Sequence, residues 1–257
     1  MALENLLGTG NRTIHIPPGD YVTDKLQIPA NTVLLLDSGV IFQDSGKLGP
    51  EDRFINIETT NVYINGVGAK ILGDPTAYPT GEQRHGIYIS GANNVVINGL
   101  ESSDNAGDGF LIGGAPDPPS QNIVLNGCLA SNNRRQGLTI SSARNVYVVN
   151  CKFQYSQGTA PELGIDIEPD YPTQYLDHIM ILNAFTLANR GGGIAVALEN
   201  LNANSYPIDI EILNHASESE SPSFTTGGSP YAPGDIQYTA GAAASASASG
   251  KAVAVPR

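Results

Sequence analysis

The chain has no tryptophan, two cysteines, two methionines, and only 13 lysines and arginines against 25 acidic residues, for a net charge of −12. So few cations cannot neutralise a phosphate backbone, which argues against nucleic acid as a partner. An acidic polymer would be repelled as well, unless a bound cation or a local arginine reverses the field where it binds. Cys128 and Cys151 are too few to frame a disulfide scaffold, and neither belongs to a metal-binding Cys-x-x-Cys pair. No run approaches the ~18 apolar residues of a membrane span. The opening MALENLLGTGNRT lacks a basic segment followed by an apolar stretch, so neither a membrane partner nor an export signal is expected from it. Long helical stretches are missing too, because 29 glycines and 17 prolines interrupt the chain and leave strands and turns to dominate. A length of 257 residues suits one large repeat or all-β domain.

What is present is internal repetition. RFINIE at 53, HGIYIS at 85, DGFLIG at 108, QGLTIS at 136, LGIDIE at 163 and GGIAVA at 192 align, with starts separated by 32, 23, 28, 27 and 29 residues. A second series follows each by roughly ten residues: NVYING, NVVING, NIVLNG, NVYVVN, HIMILN and DIEILN. Such spacing predicts a coil in which every turn supplies two or three short strands, each stacked on its counterpart in the next. Strand alternation then sends Ile55/Ile57, Ile87/Ile89, Phe110/Ile112, Leu138/Ile140, Ile165/Ile167 and Ile194/Val196 inward, all apolar. Asn56, Tyr88, Leu111, Thr139, Asp166 and Ala195 form the outward column between them.

Gly86, Gly109, Gly137, Gly164 and Gly193 precede these strands, where corners needing positive φ are expected. Gly66, Gly99, Gly127, Asn150, Asn183 and Asn214 mark a second corner, at which stacked Asn side chains can bond along the column in left-handed backbone. Cys128 and Cys151 fall one position further on and read as touching, buried thiols. The expected organisation is a parallel β-helix over 1–216, with ALENLL as a short capping helix, and an irregular tail or linker over 217–257, where AGAAASASASG could instead add a thin strand.

The IPPGDYV entrance, the NVVING and NVYVVNC strands and the Gly-led strands, covering roughly residues 10 to 215, resemble the right-handed parallel β-helix proteins of the pectate lyase-like superfamily. Within it, GDGFLIGG (107–114) and NNRRQGLTI (132–140) resemble consecutive turns of mannuronan C5-epimerase catalytic modules. Those modules place an Asp before Gly-Phe and an Arg one turn later, roles that fall to Asp108 and Arg135. Their preceding turn carries Tyr-Gly-Phe-Asp-Pro-His, whereas this chain has His85-Gly86-Ile87-Tyr88-Ile89-Ser90. A lyase, a hydrolase or a binding relative is therefore as compatible as an epimerase.

Two outward clusters could carry chemistry. His85, Asp108 and Gln136 stand before corner glycines on successive coils, with Arg135 and Tyr88 beside them. Abstraction of the proton α to a uronate carboxylate needs donors on that carboxylate, a base and an acid. Arg135 and Gln136 could hold the carboxylate, His85 or Tyr88 could exchange protons, and Asp108 could orient a histidine or hold a metal; a surface Arg135–Asp108 ion pair is the bland alternative. The second cluster lies in PELGIDIEPD (161–170), where Asp166 and Glu168 share the outward face at ~6.6 Å between Cα atoms and Asp170 follows a proline. This spacing suits glycoside hydrolysis, three carboxylates suit calcium, and a solvated strand face explains them equally. Thr139 and Ala195 flank Asp166, and Ser141 and Ala197 flank Glu168, small neighbours that argue against a larger site and equally leave room for a sugar.

Across ~14 Å the two clusters could share one groove without forming one catalytic pair. His15, His178 and His215 find no partners by register and read as core or edge residues. The leading expectation is a lyase or C5-epimerase acting on a uronate-containing polysaccharide, with no required cofactor and calcium as an optional one. The alternatives are a hydrolase using Asp166 and Glu168, or a non-catalytic glycan-binding or structural β-helix such as a phage tail spike or surface adhesin. An extracellular, virion or cell-surface setting, as monomer or homotrimer, accompanies all of them.

Overall fold

The computed structural model describes residues 7–113, 118–218, 220–226 and 228–241. Its strands wind into a coil with three faces, every strand running parallel to its neighbours in the coils before and after. Thr60–Asn65, Asn93–Asn98, Ser120–Asn126, Ala143–Val149 and Leu176–Leu182 stack on the first face. Short strands such as Glu101–Ser103, Leu129–Ser131 and Lys152–Gln154 make the second face. The third holds Ile55–Ile57, Ile87–Ser90, Phe110–Gly113, Leu138–Ile140, Leu163–Ile167 and Gly192–Ala197.

The register of the third face is the one the alternation predicts. Ile55, Ile87, Phe110, Leu138, Ile165 and Ile194 pair in sequence, as do Ile57, Ile89, Ile112, Ile140, Ile167 and Val196. All twelve are at most 1% exposed. Each coil alone could bury only one side of these side chains; stacking buries the rest, so stability accumulates from neighbour to neighbour. Cys128 and Cys151 are buried free thiols in adjacent coils, the Cys128 amide donating to Cys151 Sγ at 3.3 Å.

The corner glycines depart from expectation. Gly86, Gly109, Gly137 and Gly164 do not adopt positive φ; they are small because there is no room. A Cβ at Gly137 would lie 2.5 Å from the Gly164 carbonyl oxygen and 2.9 Å from the Phe153 side chain. At the second corner Gly99, Gly127, Asn150, Asn183 and Asn214 do take left-handed backbone. There Asn214 donates to Asn183 at 2.7 Å and Asn183 to Asn150 at 3.1 Å.

The coil also runs past residue 216, against the expected boundary. Strand Ile210–Glu218 continues from the first face onto the second, Ser223–Thr225 adds to the third and Ile236–Ala240 to the first. Phe224, Tyr231 and Tyr238 cover the end of the core. Ser223–Thr225 is too short, and SESESPSF too polar, to register as alternation. ALENLL and the Ala-Ser run fall almost entirely outside the described residues.

We expect Gly137→Ala to destabilise the coil by about 1–3 kcal/mol through overpacking, and Gly234→Ala, whose Cβ meets nothing within 4 Å, to stay within about 0.5 kcal/mol. Urea unfolding of the two variants checks this; equal losses would remove the packing explanation.

Candidate functional site

On the outer side of the third face, a cleft of about 350 Å³ is lined by Arg53, Glu82, Gln83, His85, Tyr88, Leu111, Arg135, Thr139, Ser141, Glu168, Asp170 and Tyr171. It therefore takes in members of both clusters. The outward column is not bare, because the segment leading to His85 folds back beside it. Arg134 fastens that segment, donating to the carbonyls of Pro79 (2.9 Å) and Gly81 and, from Nε, to Ala106 (3.0 Å). Arg84 is fixed by a buried ion pair with Asp44. Arg84 and Arg134 are thereby committed to structure, and the residues after them, His85 and Arg135, line the cleft.

His85 and Asp108 are neighbours in the stack, 1% and 0% exposed. The Asp108 backbone amide donates to His85 Nδ1 at 3.0 Å, so the neutral ring carries its hydrogen on Nε2. Burial, aided by the charges of Arg135 and Arg53 and outweighing Asp108, lowers the His85 pKa to about 4. Its ring stacks on Tyr88 at 6.2 Å, and the Arg53 guanidinium lies 4.8 Å over Tyr88. With Nδ1 accepting from the Asp108 amide and Nε2 protonated, His85 is a donor at neutral pH, so donation is the part of the expected proton exchange that this tautomer can supply.

Asp108 is met by Arg135 Nη1 at 3.2 and 3.3 Å and by the Thr139 hydroxyl at 2.8 Å. This is the Arg135–Asp108 pair of the sequence reading, but buried on the Asp108 side. Burial opposes the Arg135 charge, while Asp108, Glu82 and Asp166 together outweigh it and raise its pKa. The single Thr139 hydroxyl hydrogen is shared between Asp108 and Gln136 Oε1, and Gln136 Nε2 donates to Asp166 at 2.7 Å. The two clusters are consequently one hydrogen-bonded chain, Asp108–Thr139–Gln136–Asp166, across three coils.

Asp166 is 1% exposed, which excludes the solvated strand face as its environment. Burial first, and then the charge of Glu168, push its carboxyl up to about 7. Glu168, two residues on, is half-buried and lines the cleft, while Asp170 and Tyr171 are exposed at its rim. Asp166, Glu168 and Asp170 do not gather as a metal set: among the described residues, the His/Asp/Glu ligand atoms that come within 4.8 Å of one another in a group of three belong to Asp177, His178 and Asp209.

Three buried N–H groups of cleft-lining residues have no hydrogen-bond partner: Arg53 Nε, His85 Nε2 and Arg135 Nε. The nearest carboxylate to the last, Glu82, stands 3.7 Å away. Unsatisfied buried donors concentrated at one place call for a bound water, ion or ligand group. Arg53 was missed by the sequence reading although it was legible, since it precedes Ile55 by two residues as His85 precedes Ile87. Glu82 and Gln83 lie on an irregular segment with no repeat to place them. Of the remaining histidines, His15 and His178 are exposed and do have carboxylate partners, Asp37 for the first and Asp177 and Asp209 for the second. His215 is buried between Thr186 and Tyr238.

Comparison with known proteins agrees with this architecture. Over 190 residues, 60% of this chain, it is 27% identical to the SPbeta prophage-derived uncharacterized protein YorA of Bacillus subtilis (strain 168). The chain spans about a third of that relative, 32% of its length. Two solved structures share the fold at 14% identity and each matches 86% of this chain. The Family 28 exopolygalacturonase of Yersinia enterocolitica has a TM-score of 0.57 with 56% of its chain covered. The tailspike protein gp49 of the Acinetobacter baumannii bacteriophage Fri1, a capsular polysaccharide depolymerase, has a TM-score of 0.52 with 43% covered. Residues 26–205 match the model of the right handed beta helix region, and with well over half its length inside that match the chain belongs to the right-handed β-helix family.

Proposed function

We propose that this protein binds and cleaves an acidic, uronate-containing polysaccharide in the cleft of the third face. The observation that carries the reading is the set of unpaired donors, Arg53 Nε, His85 Nε2 and Arg135 Nε, in the cleft that also holds Glu168. Donors of this kind suit a carboxylate, and the Arg53 and Arg135 guanidinium groups oppose the charge of Glu82, Glu168 and Asp170 in the same lining. The fold likeness to an exopolygalacturonase and a capsular polysaccharide depolymerase supports a glycan as the ligand. The prophage and tailspike relatives support a virion or cell-surface setting.

Hydrolysis is the chemistry the carboxyl pair fits best. Glu168 lines the cleft and can act as base or nucleophile, while Asp166, which keeps its proton to about neutral pH, is buried behind the lining and would serve as the acid for a group that displaces Gln136 from it. A second reading, elimination or C5 epimerisation, is favoured by the same donors, because neutralising the uronate carboxylate acidifies the adjacent C–H. In that case Glu168 or Tyr88 removes the proton, and His85 and Arg135 stabilise the charge that develops.

Incubation with pectate, alginate and bacterial capsular polysaccharides separates the readings: new reducing ends without unsaturation mean hydrolysis, ultraviolet absorbance of unsaturated uronate means a lyase, and altered C5 configuration by NMR means an epimerase. We expect Glu168→Gln to lower turnover about 100- to 10,000-fold without loss of folding. Binding without any turnover on all acidic glycans would reduce the protein to a lectin-like coil, and absence of binding would remove the proposal.

Asp166 also sets a pH dependence. Its carboxyl titrates near 3.8 in an unperturbed chain and about 7 in the fold. The stability contributed by its protonated form is therefore complete below the lower value and is lost as pH rises through the upper one. Asp166→Asn should raise the melting temperature relative to wild type at about pH 8 and not at about pH 4. His85 and His215, both lowered to about 4 by burial, act in the opposite sense. Their contribution is present above the ordinary histidine pKa of 6.5 and declines as pH falls towards 4. An Asp166→Asn melting difference that is the same at both pH values would contradict the buried, proton-holding carboxyl.

A further inference from the structure

Along one edge of the first face runs a column of residues in left-handed backbone: Asn31, Asn61, Asn94, Asn122 and Asn145. Asn61 donates to Asn31 at 2.8 Å, Asn94 to Asn61 at 3.0 Å and Asn145 to Asn122 at 3.1 Å. In the next coil the column changes chemistry. His178 takes the asparagine position with φ 54°, and Asp209 follows in the coil beyond.

His178 Nδ1 lies 2.7 Å from Asp177 Oδ1, and Nε2 lies 3.5 Å from Asp209 Oδ2. When Nδ1–H donates to Asp177, Nε2 turns its lone pair towards a carboxylate. Two such ligands around a tetrahedral ion, at ~2.0–2.1 Å each, stand about 3.3–3.4 Å apart. A carboxylate holding the far nitrogen of a metal-bound histidine is a common supporting arrangement. One ligand atom from each of Asp177, His178 and Asp209 lies within 4.8 Å of the others. Beside them a separate cavity of about 90 Å³ opens, bounded by Tyr147, Met180 and Glu211 as well as His178 and Asp209, so an ion has space for water and a further carboxylate nearby.

We infer that His178 and Asp209, with Asp177 as orienting or third ligand, bind a divalent transition-metal ion of the zinc class on the first face, apart from the cleft. The mixed nitrogen and oxygen set selects such an ion over calcium, which takes oxygen ligands. Because His178 and Asp209 belong to successive coils, the ion ties one coil to the next and adds its binding free energy to the stability of the C-terminal end.

The test is calorimetric titration of the chelator-treated full chain with zinc chloride, paired with thermal melting. One equivalent should bind and raise the melting temperature. His178→Asn restores the residue type of the column, so it should fold as wild type does and weaken zinc binding at least tenfold; Asp209→Asn should weaken it as well. His15→Gln should leave zinc binding unchanged, because His15 faces a single carboxylate, Asp37, at 2.7 Å. Absence of saturable zinc binding would overturn the site and leave a protonated His178 bridging two carboxylates. Equal affinity in wild type and His178→Asn would overturn it too.

Discussion

Parallel hydrogen bonding between successive coils is the constraint on which everything else rests. The Phe110 amide bonds the Gly137 carbonyl, the Ile87 amide bonds Gly109 and the Ile55 amide bonds Gly86, so each coil is locked to the next without a slip. A slip of one residue would turn the isoleucine columns outward and the polar columns into the core. Close contact enforces the same register, because the corner glycines leave no space for a Cβ between coils.

This lock converts distance along the sequence into proximity in space. His85, Asp108, Arg135 and Glu168 come from four different coils, yet one cleft collects them or, for Asp108, lies directly above it. The buried chain Asp108–Thr139–Gln136–Asp166 links them through side chains that each have a partner on the adjacent coil. Burial then gives the groups different characters. His85 remains neutral as a donor, and Asp166 retains its proton to about neutral pH, while Glu168 stands nearer solvent. A rigid stack of strands is well suited to holding such a set, since its side chains need not be ordered when a substrate arrives.

The fold was legible because its signal repeats. Twelve inward positions and the asparagine columns each recur coil after coil, and every recurrence states the same period. The site was legible only in part. Residues on the strands or at the corners just before them, among them His85, Asp108, Gln136 and Asp166, could be placed by register; Glu82, Gln83 and Tyr171 sit on segments that do not repeat. Burial could not be read at all. The outward column looks solvated in sequence, but the irregular segment before His85 folds beside it, pinned by Arg134. The corner glycines taught a related lesson: their recurrence was visible, whereas the cause, contact and not backbone conformation, needed coordinates.

The central claim is that the unpaired donors of this cleft await the carboxylate of an acidic sugar. A crystal structure of the protein with an oligouronate or an acidic capsular fragment bound tests it most directly. The account predicts a sugar carboxylate in hydrogen-bond contact with His85 Nε2 or the Arg53 and Arg135 guanidinium groups, with the sugar ring carbons at the scissile bond turned towards Glu168. An oligosaccharide seated on another face, or one presenting only neutral hydroxyl groups to these donors, would contradict it.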